Sequence, residues 1–316
     1  MAGRFRLATF NIENLDWSPS AQDEFGRRLA VLRPQLAAID ADILCLQEVD
    51  AQRETAHAPR RFVALDRLVE GGGYERFFRA ATLRPGGDAP ADIHNLAILS
   101  RWPIVERRQL YHDIVAPWRW TPPAEKGASA QPIDVAFDRP ILYARIALAE
   151  GASLHVLNLH LRAPRAVPLL GQADRKSSRA VAEGQWLAAQ KREGQALEAR
   201  LFVDRLFDEE REPLIAVCGD FNSEAYDAPA RILWGADDPS GPRGLAPLAT
   251  RVDERARFTV VHAGRKTLID QLLASPALAA RCAEVAILND GLADEATAPD
   301  PILGSLHAPL VATFRA

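Results

Sequence analysis

The segment LIAVCGDFN, Leu214–Asn222, is an unbroken apolar run that stops abruptly in Gly219-Asp220-Phe221-Asn222. A short run of that kind, closed by a cluster of polar residues, reads as an apolar strand. The same ending recurs elsewhere: TFNIEN closes a strand at Asn11, LCLQEV at Glu48, and VLNLHL at Asn158 and His160. LIDQLL sets Asp270 inside an apolar strand, and GSLHAP sets His307 just before the last strand. A carboxylate embedded in apolar sequence needs a partner, because its desolvation costs on the order of several kcal/mol. Taken singly, each residue has a structural explanation: Asn11 at a strand end, Glu48 capping a turn, Asp220 heading a tight turn. Taken together, polar residues at the ends of separate strands read as one site. Glu48, Asp220, Asn11 and Asn222 are hard oxygen donors of the kind that suits magnesium or manganese. Histidines beside carboxylates suit proton transfer near neutral pH.

Outward from these endings, period-two alternation predicts a strand at Arg4–Ile12, and further strands are expected at Tyr74–Ala81, residues 141–149, Ser153–Leu161, Val285–Leu288 and Leu310–Phe314. Shorter apolar strands are expected at Ile43–Leu46, Leu96–Ser100, Leu214–Cys218 and Leu268–Ala274. Helices are expected at Phe25–Ile39, kinked or restarted at Pro34, at Phe62–Val69 and over Gln185–Phe207. Many strands and few long helices suggest stacked sheets flanked by helices in an α/β fold. No repeat or linker divides the chain, so one domain spanning 1–316 is expected, with loop insertions near 111–137 and 163–180.

The chain has 316 residues, 48% of them hydrophobic, enough for a substantial core, and a net charge of −4. That charge gives no global attraction for nucleic acid, so a basic surface must be local. Cys45, Cys218 and Cys282 lie in apolar runs with neither zinc nor redox spacing, and read as buried thiols. The N-terminus alternates charged and apolar residues and lacks a secretory h-region, and no apolar run is long enough for a membrane helix. A cytoplasmic protein with no membrane contact and no obligate protein partner is the expectation.

In order, TFNIEN, LQEV, AILSRWPI, NLHL, GDFN, LIDQLL and SLHAP resemble the motifs of the endonuclease/exonuclease/phosphatase superfamily, from Thr9 to His307. The resemblance implies a four-layer α/β sandwich, two mixed β-sheets packed face to face with helices outside. It implies a Mg2+- or Mn2+-dependent phosphoester hydrolase with Glu48 and Asn11 at the metal. Asp220 and Asn222 would bind the scissile phosphate and position water. His307, oriented by Asp270, and His160 would share acid–base work and stabilise the pentacovalent phosphorus. The Asn-x-His-Leu form points towards deoxyribonucleases, sphingomyelinases and deadenylases. The chain departs from the family where Ser-Asp-His is usual: it carries Ser305-Leu306-His307, with a leucine in place of a carboxylate. Leu306→Asp is accordingly expected to tighten magnesium binding or raise turnover.

Residues 161–180 hold Arg162, Arg165, Arg175, Lys176 and Arg179 against Asp174, which makes Arg162, with Asn158, a candidate substrate contact. Arg139 is a second basic candidate. Trp118 and Trp120 read either as a stacking surface for bases or as packing for the insertion. The favoured substrate is DNA or RNA. A small phosphoester such as a nucleotide, sugar phosphate or lipid headgroup, or a binding role in the same fold, stands as the alternative.

Overall fold

Alternation along the first strand sets the layers. β1 (Arg4–Leu15) turns Phe5 and Leu7 to one face and Ala8, Phe10 and Ile12 to the other. The computed structural model describes residues 3–55, 57–121, 131–148, 151–167, 177–235 and 238–316. After β1 come α1 (Gln22–Ile39), β2 (Ile43–Val49), α2 (Val63–Val69), β3 (Phe78–Ala81) and β4 (Asn95–Ser100). Then follow β5 (Ile104–Leu110), a hairpin of β6 (Trp118–Trp120) and β7 (Ile133–Val135), β8 (Ile141–Ala147) and β9 (Ser153–His160). The long α3 (Ser178–Glu209) leads to β10 (Leu214–Asp220), α4 (Ala228–Trp234) and β11 (Ala246–Pro247). A second hairpin, β12 (Val260–His262) and β13 (Arg265–Thr267), precedes β14 (Asp270–Ala274), α5 (Pro276–Ala279), β15 (Cys282–Ile287) and β16 (Leu310–Arg315).

Two mixed sheets of six strands result, in the orders β15-β16-β1-β2-β4-β3 and β11-β14-β10-β9-β8-β5. Each has one central parallel pair, β1 with β2 and β9 with β10, and its other neighbours are antiparallel. Phe5, Leu7, Cys45, Val156, Cys218 and Leu272 belong to the core between the sheets. The outer face of the first sheet packs under α1 and α2 through Phe10, Leu32 and Leu65, and that of the second under α3 and α4 through Leu157, Phe202 and Leu233. This is the four-layer α/β sandwich. The parallel pairs matter for function because their C-terminal ends lie side by side, at the edge where such sheets bind ligands.

Several expectations need correction. α1 does not restart at Pro34 but continues as one helix through it, and Pro34 and Ala30, whose carbonyl loses its usual donor, both face solvent. Tyr74–Phe77 is a turn, not strand: the Tyr74 hydroxyl accepts the Ala41 N–H at 2.8 Å and donates to the Leu36 carbonyl at 3.2 Å, which pins it under the end of α1. The long helix begins near Ser177, whose hydroxyl accepts the Ala180 N–H at 3.2 Å, ahead of the apolar periodicity that marked it. Within 111–137, β6 and β7 pair, and residues 122–130 lie outside the described set, as do 149, Asp174, Arg175 and Lys176. Among the described residues, no helix is long and apolar enough to cross a membrane.

Candidate active site

Register brings the polar strand ends together. In the second sheet Asp220 pairs with His160 on one side and with Asp270 on the other. In the first sheet Asn11 pairs with Gln47, next to Glu48. Gly219 makes this possible: its φ is +138°, and a side chain there would come within 1.9 Å of the Leu159 carbonyl oxygen. Where the strands end, non-glycine residues take positive φ: Glu13 (57°), Asn14 (45°), Glu48 (60°), His94 (59°) and Asn222 (48°). Such conformations cost about 1 kcal/mol or more each, and their concentration here marks a backbone shaped for the site.

The two sheets are joined across the site. Asn11 is fully buried, and its Nδ2 donates to Glu48 Oε1 at 3.1 Å and to Asp220 Oδ2 at 3.0 Å. Its Oδ1 accepts the Glu13 N–H at 3.0 Å, so in this arrangement Asn11 ties two acids together and does not turn its oxygen towards them. Asn222 donates its N–H to Asp220 Oδ1 at 2.8 Å, and its Nδ2 to the Leu161 carbonyl at 3.0 Å. Asn158 is also fully buried: its Oδ1 accepts from Gln47 at 2.7 Å, and its Nδ2 donates to the Leu46 and Ala97 carbonyls. It staples the sheets beneath the site instead of facing substrate. Gln47 donates further to Thr9 Oγ at 3.0 Å.

Opposite Glu48, His307 Nδ1 lies 2.8 Å from Asp270 Oδ2, and both side chains are buried. Ser305 fixes the approach: its hydroxyl donates to the Asn11 carbonyl at 2.6 Å and accepts the His307 N–H at 3.0 Å. Thr259 Oγ accepts the Asp270 N–H at 3.1 Å. Burial opposes charge on His307, but Asp270 overrides it and pushes the imidazole up to about 10. Burial, reinforced by Asp270, pushes the Asp220 carboxyl up to about 7. Burial and the Arg139 charge hold His160 well below the usual histidine range.

The donor set fits a divalent cation. Ligand atoms of Glu48, His160 and Asp220 lie within 4.8 Å of one another, as do those of Asp220, Asp270 and His307. Asp270 Oδ1 is buried with no hydrogen-bond partner, and a carboxylate as desolvated as Asp220 calls for positive charge. Glu48 and Asp220 are the oxygens placed to hold such an ion.

Other candidates fall outside this centre. Arg162 Nη1 donates to Asp138 Oδ2 at 3.0 Å, and Lys191 donates to the same carboxylate at 2.6 Å, so Arg162 is spent on a local pair. Arg139 takes the place beside His160 Nδ1. His94 Nε2 lies 3.0 Å from Asn14 Oδ1, with its ring 5.9 Å from that of His160. Trp118 and Trp120 stack on each other and meet Trp186 of α3, with Trp118 still 42% exposed. Leu306 is buried and lines a cavity of about 480 Å³ with Val31, Leu288 and Ile302. Sequence does not single out Thr259, Ser305 and Gln47 as site residues, and their hydrogen bonds to Asp270, Asn11, His307 and Asn158 are what reveal them.

The Endonuclease/Exonuclease/phosphatase family model matches residues 8–294. No curated protein sequence matches the chain. Among solved structures, truncated TDP2 of Caenorhabditis elegans superposes with a TM-score of 0.59 at 16% identity, covering 99% of this chain and 98% of that one. An endonuclease/exonuclease/phosphatase family protein from Bacteroides thetaiotaomicron gives 0.60 at 17%, with 99% and 95% covered. The 3'-5' exonuclease NExo of Neisseria meningitidis gives 0.54 at 18%, with 98% and 100% covered. At these identities the likeness to the solved structures establishes the fold. With the family match over nearly its whole length and the carboxylate–histidine centre at the sheet ends, the chain belongs to the Endonuclease/Exonuclease/phosphatase family of metal-dependent phosphoester hydrolases.

Proposed function

We propose that this single-domain chain is a Mg2+- or Mn2+-dependent phosphodiesterase that cleaves DNA or RNA by in-line attack of water. The observation that carries the reading is Asp220, buried between Glu48 and His160 on one side and the Asp270–His307 pair on the other. A cation held at Glu48 would supply charge neutralisation and polarisation of the phosphoryl group. Asp220, kept in orientation by Asn11 and Asn222, is placed to position the attacking water and to accept its proton. His307 keeps its proton at neutral pH and directs Nε2–H towards the developing negative charge or the leaving oxygen. Nucleic acid is favoured by the half-exposed Trp118 beside Arg119, and a likeness to a Neisseria NExo structure described as a 3' phosphatase bound to product DNA hairpin adds to this. A small phosphoester is the second reading, favoured by the pairing of Arg162 with Asp138.

The test is hydrolysis with magnesium and with manganese of bis-p-nitrophenyl phosphate, p-nitrophenyl phosphate, and labelled single- and double-stranded nucleic acid. Cleavage of nucleic acid, with binding that weakens steeply in salt, supports the first reading. Turnover confined to p-nitrophenyl phosphate supports the second. Inactivity on every substrate moves the chain to a binding role.

A further inference from the structure

Two histidines face one centre, but what stands behind them differs. Behind His307 Nδ1 is a carboxylate, Asp270 Oδ2 at 2.8 Å. Behind His160 Nδ1 is a guanidinium, that of Arg139. A carboxylate can only accept, so His307 Nδ1 carries hydrogen. A guanidinium has N–H donors, no acceptor, and no tendency to lose its proton. Arg139 must therefore donate, and the Nδ1 lone pair of His160 must accept. An imidazole with Nδ1 bare carries its proton on Nε2. That Nε2 lies 3.7 Å from Glu48 Oε1 and 3.5 Å from Asp220 Oδ2, inside the centre.

We propose that Arg139 is a positioning residue that locks His160 as the neutral Nε2–H tautomer, making it a fixed hydrogen-bond donor to the phosphoryl oxygens and not a proton acceptor. This rests on reading the centre as a phosphoester site. The common arrangement for a histidine base is the reverse, with a carbonyl or carboxylate on one nitrogen and the bare nitrogen facing the reaction. Here the bare nitrogen faces away. Acid–base work thus falls to Asp220 and His307, and His160 contributes preorganised electrostatic stabilisation.

The placement of Arg139 is built, not incidental. Gln195 of α3, itself 2% exposed, donates from Nε2 to the Arg139 carbonyl at 3.0 Å. The preceding Asp138 is gripped by Lys191 at 2.6 Å and Arg162 at 3.0 Å. Lys191 and Gln195 are one helical turn apart, so a single face of α3 holds the backbone from which Arg139 reaches His160. The basic run after His160 thereby gains a role: Arg162 anchors the segment that delivers Arg139.

The experiment is long-range 1H–15N correlation on the uniformly 15N-labelled chain, with the His160 ring assigned by loss of its signals in His160→Gln. The expected spectrum has His160 with Nε2 protonated and Nδ1 bare. Arg139→Met should give mixed tautomers and lower kcat about 100-fold with KM changed little, and Arg139→Lys, which still only donates, should restore the tautomer and part of the rate. A wild-type spectrum with hydrogen on Nδ1 overturns the proposal, and so does an Arg139→Met effect confined to KM with the tautomer unchanged. The wild-type spectrum decides the tautomer whatever the variants do to folding. A chain that hydrolyses nothing yet shows the Arg139-dependent tautomer supports the positioning role and overturns the hydrolase reading.

Discussion

At the scale of single residues, the centre is a set of buried charges that only neighbouring charges make tolerable. Removing the groups with the most direct roles should be severe: Glu48→Gln and His307→Ala are each expected to lower kcat about 100- to 1,000-fold at saturating metal, measured on bis-p-nitrophenyl phosphate. Activity surviving both substitutions would sink the mechanism. The Asp270–His307 pair also leaves a mark on stability. His307, ordinarily near 6.5, stands at about 10 in the folded chain. Between those values the folded chain keeps a proton that the unfolded chain has released. Stability from this pair is therefore complete below about 6.5 and is lost as pH rises through about 10. Urea midpoints measured in a chelator should fall from pH 7 to pH 10, and His307→Gln should flatten that fall; a parallel slope in both would reject it. Much of the centre could be read from sequence, because Glu48, His160, Asp220 and Asn222 sit where apolar runs end, Asp270 lies inside such a run and His307 just precedes one. Asn158 shared that signal yet belongs to the sheet interface. A strand ending reveals that a polar group is buried, but whether it faces substrate or the opposite sheet depends on its cross-sheet partner.

At the scale of elements, α3 works as a clamp. Besides Lys191 and Gln195 it carries Glu198, fully buried, whose carboxylate accepts the N–H groups of Asp113, Ile114 and Val115. Glu198→Ala would remove the shared acceptor of three partly exposed N–H groups, which water can reach in part, at about 0.5–1.5 kcal/mol each. A loss of about 2 kcal/mol in urea unfolding is expected, with Glu198→Gln recovering part of it. An unchanged midpoint would mean that water replaces the carboxylate. The periodicity of α3 was plain in sequence, but this function was not, because the residues that it grips lie 53 to 85 positions away along the chain. The elements that escaped the sequence reading share a physical cause. β5 is an edge strand with the charged sequence IVERRQL, half of it solvated, and its alternation carries little apolar contrast. α4 and the β12–β13 hairpin are too short for periodicity to register. The central strands, buried on both faces, were legible for the opposite reason.

At the scale of the whole molecule, the centre lies across the seam between the sheets, so whatever binds there couples their stability. Asn11 bridges Glu48 of the first sheet to Asp220 of the second, and Asn158 ties β9 to β2 and β4 just below. Without a cation, that seam holds converging acids, one of them pushed up to about 7 and another with an orphaned oxygen. A ligand that binds the folded state alone stabilises it by about 2.7 kcal/mol at a hundredfold excess over its Kd. For a chain of this size that is a rise in Tm of roughly 4 °C. Manganese and magnesium should therefore raise Tm in a saturable way and a chelator should reverse the rise, with Glu48→Gln abolishing most of it. Leu306→Asp is the sharper probe. Leu306 is buried against a cavity lined by Val31, Leu288 and Ile302 and also by Arg27, Asp290 and Asp300, so an aspartate there either turns to the metal or meets this mixed wall. In chelator the variant should be less stable than wild type, because a carboxylate replaces a buried leucine beside other acids. If the position still communicates with the ion, saturating manganese should recover that loss and the metal midpoint should fall to lower concentration. A variant destabilised equally with and without metal would show that the fold has turned position 306 away from the site, leaving Glu48 and Asp220 to hold the cation by themselves.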